Sequence, residues 1–210
     1  MFDIEYKGGN GVVITTKKTT AVIDPKLSLV GLKDIPVKSV VEIATEKRFA
    51  VDKDEQLLID GPGDYEVGDL SIHGVSATRH IDTEADEKIA TIYRIEAGDI
   101  RIALLGNVAP KLAEDQLEEL GVIDMLIVPV GGGGLTLDAT SAAGMVRQID
   151  PKVVIPTHYA DDTLKYEMPQ DSLETFTKEL GAPVETVAKY KVKGASTLPV
   201  ALTVVEIARS

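Results

Sequence analysis

The chain has 210 residues, of which 44% are hydrophobic and 27% are charged, so we expect one packed domain over residues 1–210 rather than a disordered chain. It contains no cysteine, which excludes a disulfide framework, a thiolate nucleophile and a cysteine-ligated zinc site. It has only three histidines as possible nitrogen ligands of a metal. The formal net charge of −12 disfavours binding to nucleic acid and to anionic membrane surfaces, so we expect neither as a partner.

The N-terminal residues carry no basic segment followed by an apolar run. No later stretch has the uninterrupted apolar length of a membrane span. We therefore expect a soluble, cytoplasmic protein.

The first half of the sequence predicts short strands separated by turns. β-branched residues bounded by glycine, lysine or proline favour strands at residues 4–6, 12–16, 20–24, 40–44 and 56–60. Residues 61–63, Gly-Pro-Gly, predict a sharp turn. Residues 70–77 alternate with period two, which puts His73 on the face opposite Ile72 and favours a half-exposed strand residue over a metal ligand.

The second half alternates strands with helices. Helices are predicted at residues 110–120, after a capping Asp138, and at residues 169–180. Strands are predicted at residues 89–95, 100–105, 125–130, 153–156, 184–187 and 200–207. A strand-rich first half followed by alternating strands and helices predicts an α/β fold with two sheets between helices.

Three polar residues follow predicted strands, where ligands gather in layered α/β folds. His158 follows a buried strand, and its position alone leaves a functional and a structural role about equally open. His80 stands beside Arg79, whose charge disfavours protonation and leaves an imidazole suited to metal; an exposed loop histidine is the alternative. Asn107 is a poor zinc ligand, because its carbonyl oxygen carries no charge.

Four consecutive glycines at residues 131–134 lie between a predicted strand and a predicted helix. They lack the lysine and the acidic residue that accompany nucleotide-binding loops. We therefore expect a tight loop that permits a close backbone approach, not a nucleotide site.

Six short motifs stand in a recognisable order along the chain. They lie at residues 22–25 (Val-Ile-Asp-Pro), 61–67 (Gly-Pro-Gly-Asp-Tyr-Glu-Val), 103–107 (Ala-Leu-Leu-Gly-Asn), 129–133 (Pro-Val-Gly-Gly-Gly), 137–139 (Leu-Asp-Ala) and 154–159 (Val-Ile-Pro-Thr-His-Tyr). Together they resemble the metallo-β-lactamase superfamily, and most of all the metal-dependent hydrolases similar to ascorbate-6-phosphate lactonase. The resemblance implies an αββα sandwich of two mixed sheets flanked by helices, with the site where strand-end loops of both halves meet.

The resemblance also implies that the family's metal site is degenerate here. The family has a His-x-His-x-Asp-His motif after an early strand, and its metals activate a bridging water. Residues 45–50 stand at that place and read Thr-Glu-Lys-Arg-Phe-Ala, without a histidine. Asn107 matches the bridging aspartate, whereas His80 and His158 match the later histidines.

Three functional hypotheses follow, in order of preference. The first is a non-catalytic module that binds a small molecule or a protein. The second is a metal-free enzyme in which Glu46, Lys47, Arg48, His80 and His158 line an anion-binding cleft, with His158 as the candidate acid or base. The third is a mononuclear hydrolase of a phosphorylated lactone or ester that uses His80, His158 and a carboxylate such as Asp82.

The predicted ligand-binding residues are therefore Glu46, Lys47, Arg48 and Asn107, and the predicted metal remnant is His80 with His158. We expect no cofactor, with zinc or manganese at low occupancy as the alternative. A purely structural subunit that forms a homo-oligomer is a further alternative.

Overall fold

The computed structural model describes residues 1–51, 57–81 and 89–210. Within these residues the strands form two sheets that pack face to face. No helix in the described ranges is long and apolar enough to cross a membrane.

The first sheet has six strands: β1 (Phe2–Gly8), β2 (Gly11–Thr15), β3 (Thr20–Ile23), β4 (Val41–Ile43), β5 (Leu57–Ile59) and β13 (Tyr190–Val192). Their order is β13-β1-β2-β3-β4-β5. The pairs from β13 to β3 are antiparallel and those from β3 to β5 are parallel, so the sheet is mixed.

The second sheet has eight strands: β6 (Gly63–Val67), β7 (Leu70–Ala77), β8 (Ala90–Ala97), β9 (Ile100–Leu104), β10 (Met125–Pro129), β11 (Val153–Thr157), β12 (Val184–Val187) and β14 (Thr203–Ile207). Their order is β12-β14-β11-β10-β9-β8-β7-β6. The pairs from β12 to β9 are parallel and those from β9 to β6 are antiparallel.

Three α-helices are present in the described ranges: α1 (Glu114–Leu120), α2 (Ala139–Ile149) and α3 (Leu173–Leu180). The Asp138 carboxylate caps α2, because its Oδ1 accepts a hydrogen bond from the Ser141 backbone N–H at 2.7 Å. All three helices contribute side chains to an apolar layer against the second sheet, including Leu120, Met145 and Phe176.

The core has two layers. Alternate residues of β1, such as Ile4, pack between the sheets against residues of the second sheet such as Ile72 and Ile95. The other face of the second sheet packs against the helices. Because β10 is covered on both faces, all five of its residues are buried.

The predicted fold class, two mixed sheets in an α/β protein, is confirmed. The predicted hairpin is also confirmed, because β8 pairs antiparallel with β9. The predicted half-exposure of His73 is correct as well, since Leu70 and Ile72 are buried while His73 is half-buried.

Several predicted boundaries are wrong. The Gly-Pro-Gly turn leads directly into the edge strand β6, which the sequence does not predict. Its alternate residues Asp64 and Glu66 are exposed, and neither is β-branched, so the pattern typical of a strand is absent. The three-residue β13 is too short to be recognised. Helix α1 begins at Glu114 rather than near 110, because Gln116 Oε1 accepts the Ala113 N–H at 2.9 Å and so caps the helix there.

Tyr93 joins the two sheets through its hydroxyl group. It lies on β8 with its side chain fully buried, and its hydroxyl donates to the Ala44 carbonyl at 3.0 Å, with the Ile59 carbonyl at 3.3 Å. Ala44 and Ile59 belong to the carboxyl ends of β4 and β5, so this contact fixes the first sheet over the second at the end where both strands stop.

We predict that Tyr93→Phe lowers the free energy of unfolding by about 1–2 kcal/mol, because a buried carbonyl loses its donor. Urea unfolding measures the effect. Tyr65→Phe is the matched control: the Tyr65 hydroxyl contacts the Gly61 and Pro62 carbonyls in a more exposed position, and we expect less than about 0.5 kcal/mol. Equal losses in the two variants would contradict a special role for Tyr93.

Candidate functional site

The carboxyl ends of the parallel strands meet at one edge of the sandwich, which we call the site edge. The loops after β3, β4, β9 and β11 all reach it, and hydrogen bonds join the two sheets there. The His158 N–H donates to the Gly9 carbonyl at 2.8 Å, and the Thr91 N–H donates to the Thr45 carbonyl at 2.9 Å. The site edge is where the resemblance predicts the site.

A buried carboxylate holds the loop that follows β4. Asp24 Oδ1 accepts the Thr45 N–H at 2.8 Å, and Oδ2 accepts the Thr45 hydroxyl at 2.7 Å. Asp24 itself has a left-handed backbone, with φ of 45°. Burial raises the pKa of Asp24 to about 7, although both Thr45 hydrogen bonds act in the opposite direction.

Glu46 is the centre of an ion cluster. Its side chain is only 4% exposed, and its carboxylate meets Arg48 side-on, with Nε at 2.9 Å from Oε2 and Nη2 at 3.2 Å from Oε1. Arg79 Nη1 lies 3.7 Å from Oε2. Arg48 also stacks over the Phe49 ring at 4.7 Å, so its guanidinium has a defined position.

Asn107 connects this cluster to the first sheet. Its Oδ1 accepts from Asn10 Nδ2 at 3.0 Å, and its Nδ2 donates to Glu46 Oε1 at 3.5 Å. The preceding Gly106 has φ of 62°, and a Cβ there would lie 2.6 Å from Thr45 Oγ1. Only glycine allows the loops after β4 and β9 to approach this closely.

His158 has a left-handed backbone with φ of 50° and a side chain held in one orientation. Its Nδ1 lies 3.0 Å from Gln170 Oε1, and its ring contacts Tyr166 at 4.7 Å between centroids. Burial lowers the pKa of His158 to about 4, so the imidazole is neutral near pH 7. The expected tight glycine loop supports this position, because a Cβ on Gly131 would overlap the His158 carbonyl oxygen.

The imidazoles of the other two histidines make no hydrogen bond to the ion cluster that involves described residues. The His80 backbone N–H donates to the Asn107 carbonyl at 2.9 Å, but its imidazole lines neither cavity described below. Within the described ranges its Nδ1 is buried without a hydrogen-bond partner. His73 pairs instead with Asp64 at 2.6 Å on the antiparallel side of the second sheet.

Two cavities open at the site edge. The large cavity, about 530 Å³, is lined by Glu46, Lys47, Arg48, Asp60, Arg79 and Thr91 among others. The small cavity, about 200 Å³, is lined by Arg48, Phe49, Asn107, Leu135, His158 and Tyr166 among others. Arg48 lines both cavities.

The donor set at the site edge does not fit a dinuclear metal centre. In the described ranges no group of three or more His, Asp or Glu side chains comes together. The one carboxylate at the place of the family's first metal motif is Glu46, which already contacts two guanidinium groups. Asp82, the proposed third ligand of a mononuclear site, lies outside the described residues.

The structure brings most of the sequence-predicted site residues to the same edge. Glu46, Lys47 and Arg48 line the large cavity, and Asn107 and His158 line the small one. Their roles in binding stay predictions. Sequence reasoning missed four residues that complete the arrangement: Asn10, Arg79, Tyr166 and Gln170.

The signals for these residues were weak. In the sequence, Arg79 stands out only as a neighbour of His80. Gln170 falls in the helix predicted at residues 169–180, whereas the helix begins at Leu173. Asn10 lies in a turn cluster of glycines that predicts only a change of direction.

Comparison with known families places the chain. The sequence matches the family model described as a β-lactamase superfamily domain over residues 3–158, which is well over half of the chain. The chain belongs to the metallo-β-lactamase superfamily. The resemblance predicted from the sequence is therefore confirmed at the level of the superfamily, and no curated protein matches the sequence.

Solved structures of this superfamily share the fold over almost the whole chain. A protein from Thermotoga maritima, described as a candidate zinc-dependent hydrolase of the superfamily, is 24% identical with a TM-score of 0.77, and covers 99% of this chain and 100% of its own. Igni18, a metallo hydrolase from Ignicoccus hospitalis, is 15% identical with a TM-score of 0.63. Its match covers 99% of this chain and 95% of its own. YhfI from Bacillus subtilis, a metallo-β-lactamase fold protein, is 10% identical with a TM-score of 0.59. Its match covers 100% of this chain and 98% of its own.

We predict that Asp24 makes this superfamily member less stable as the pH rises. The folded pKa of about 7 exceeds the ordinary value of 3.8, so the folded state holds a proton that the unfolded chain releases. Its stabilising contribution is fully present below about pH 4 and is lost as the pH approaches 7. Relative to Asp24→Asn, the wild type should lose roughly 2–3 kcal/mol of unfolding free energy between about pH 5 and about pH 8.

Urea unfolding at the two pH values measures this difference. Asp138→Asn is the control, because the hydrogen bond from the Ser141 backbone lowers the pKa of Asp138 and its titration lies below this window. A difference between wild type and Asp24→Asn that does not change with pH would contradict the prediction.

Proposed function

We propose that this chain binds a small anionic molecule at the site edge without a metal ion, and that it does not hydrolyse that molecule. The observation that carries the proposal is the ion cluster of Glu46, Arg48 and Arg79 beside the large cavity. It supplies fixed positive charge at the place where the family motif would supply metal ligands.

The exposure of the charged side chains supports an anionic ligand. Glu46 is nearly fully buried, whereas the side chain of Arg48 is 39% exposed and Lys47 is exposed. Among the residues that the structure describes, three cationic side chains and two carboxylates, those of Glu46 and Asp60, line the large cavity. A local excess of positive charge in a chain with a net charge of −12 favours attraction of an anion to this cleft.

The geometry of Arg48 leaves part of its guanidinium available to a ligand. Its Nε and Nη2 edge faces Glu46, and its plane stacks on Phe49. No described residue forms a hydrogen bond to its Nη1. A guanidinium fixed on one edge is suited to bind a carboxylate or a phosphate with the other.

The arginine contacts also support binding without a metal. A divalent ion at Glu46 would have to displace Arg48 or share its carboxylate with two cations, which Coulomb repulsion disfavours. Asn107 would contribute only a neutral oxygen, and that oxygen already accepts a hydrogen bond from Asn10.

The alternative is a hydrolase of a phosphorylated lactone or ester that uses His80 and His158 in a mononuclear or metal-free site. The neutral imidazole of His158 favours it, because that form binds metals and accepts protons. We prefer binding, since an imidazole whose pKa is about 4 is a weak base near neutral pH.

We predict that inorganic phosphate and benzoate each raise the melting temperature of the wild type, and that Arg48→Gln abolishes most of this rise. The readout is the ligand-induced increment, because Arg48→Gln also unpairs Glu46 and lowers the starting melting temperature. Lys178→Gln is the matched control, since Lys178 pairs only with Glu174 on the surface of α3 and should leave the increment unchanged. An equal increment in Arg48→Gln would overturn the proposed site.

We also predict that the protein, purified without chelators, carries well under one metal ion per chain by elemental analysis. Added zinc or manganese should not raise its melting temperature, because the described donors do not assemble a site. Stoichiometric metal, a metal-dependent rise in stability, and hydrolysis of a phosphorylated lactone that is lost in His158→Asn would together establish the hydrolase alternative.

A further inference from the structure

We infer that the ligand of this site is an organic anion with a ring-sized body that carries a hydroxyl or amino group, and that His158 Nε2 accepts a hydrogen bond from that group in the small cavity. The inference rests on the proposed anion site at Arg48 and extends it by naming the class of ligand.

The tautomer of His158 follows from the hydrogen bonds of Gln170. The Met168 carbonyl can only accept, so the Gln170 amide nitrogen, 2.9 Å away, must face it and donate. Gln170 Oε1 therefore faces His158 Nδ1 at 3.0 Å, and as an acceptor it requires a proton on Nδ1. In the neutral ring the proton on Nδ1 leaves Nε2 as an acceptor.

Nε2 is available to a ligand. The only side-chain hydrogen bond of the imidazole to a described residue is the one at Nδ1, so no described residue occupies Nε2. His158 lines the small cavity. In the inferred complex, a donor that enters this cavity binds at Nε2, the one acceptor position of the imidazole.

The remaining walls of the small cavity fit a ring with a donor. Phe49, Leu135 and the Tyr166 ring supply apolar surface, and the Tyr166 hydroxyl is occupied because it donates to the Tyr159 carbonyl at 3.0 Å. Glu167 also lines the cavity and is a second acceptor. Two acceptors in a small apolar space favour a hydroxyl or amino group over a second anionic group.

The sizes of the two cavities indicate how the ligand is divided between them. A volume of 200 Å³ lies below the range of about 300–1,000 Å³ that holds a whole drug-sized ligand, so the small cavity accommodates only one part of a molecule. Arg48 lines both cavities, and it therefore binds the anionic group at their boundary while the ring enters the small one.

Matched benzoates test the inference by calorimetric titration at about pH 8, where an imidazole of ordinary pKa is also neutral. The probes are benzoate, 4-methylbenzoate, 4-hydroxybenzoate and 4-aminobenzoate. The methyl compound has nearly the shape of the other two substituted probes but no donor. We expect 4-hydroxybenzoate or 4-aminobenzoate to bind about three- to tenfold more tightly than 4-methylbenzoate, as one added hydrogen bond allows.

His158→Asn is expected to remove the preference for 4-hydroxybenzoate and 4-aminobenzoate over 4-methylbenzoate. Asparagine tolerates the left-handed backbone at this position, which favours correct folding of the variant. A second measurement needs no variant. Nitrogen-15 NMR of the imidazole should show Nδ1 protonated in the free protein and a shift of the Nε2 resonance when 4-hydroxybenzoate binds.

The outcomes separate this inference from the proposed function. If benzoate binds in an Arg48-dependent way but the donor-bearing probes have no advantage, or if Nε2 carries the proton, the inference is wrong and the anion site stands. If no probe and no phosphate binds in an Arg48-dependent way, the proposed function fails and the inference fails with it.

Discussion

The site edge depends on one constraint: the carboxylate of Glu46 is buried and must be compensated where it lies. A buried ionised carboxylate is strongly unfavourable unless it is paired and hydrogen-bonded. Here Arg48 contributes two contacts, Arg79 a third at longer range, and Asn107 a weak hydrogen bond. These partners come from three separate loops, so compensating this one charge fixes the relative positions of the ends of β4, β7 and β9.

A second carboxylate, that of Asp24, determines where Glu46 stands. By accepting both the backbone N–H and the hydroxyl of Thr45, it fixes the residue immediately before Glu46. The two acidic groups therefore have different tasks. Glu46 pairs with arginine side chains beside the large cavity, whereas burial favours the protonated form of Asp24 until about pH 7. Since Asp24 touches neither cavity, it acts on the site only by positioning the loop.

The sequence was sufficient to predict the fold class and the order of the strand-end loops, because those depend on local patterns such as the buried run of β10 and the glycine next to Asn107. It was not sufficient for the partners of Glu46 and His158. Arg79 lies 33 positions from Glu46 in the sequence, and the two residues follow strands of different sheets, so the packing of the two sheets is needed to bring them together. Gln170 could not be assigned to His158, because its role depends on a loop before α3 that has no sequence pattern of its own. Strands β6 and β13 were missed since edge strands need only half of the apolar pattern.

The proposed arginine site differs from a metal site in what it can do chemically. A bound metal ion polarises a substrate and lowers the pKa of a water molecule, which gives a nucleophile near neutral pH. A guanidinium has no coordination position for water and does not deprotonate, but it recognises planar anions with directed hydrogen bonds. Under the proposed function, the strand-end loops that would position a reaction position a recognition site instead. In the inferred complex, the His158 imidazole adds an acceptor to the donors of Arg48. Such a pair would distinguish one organic anion from another by the group it carries rather than by its charge alone.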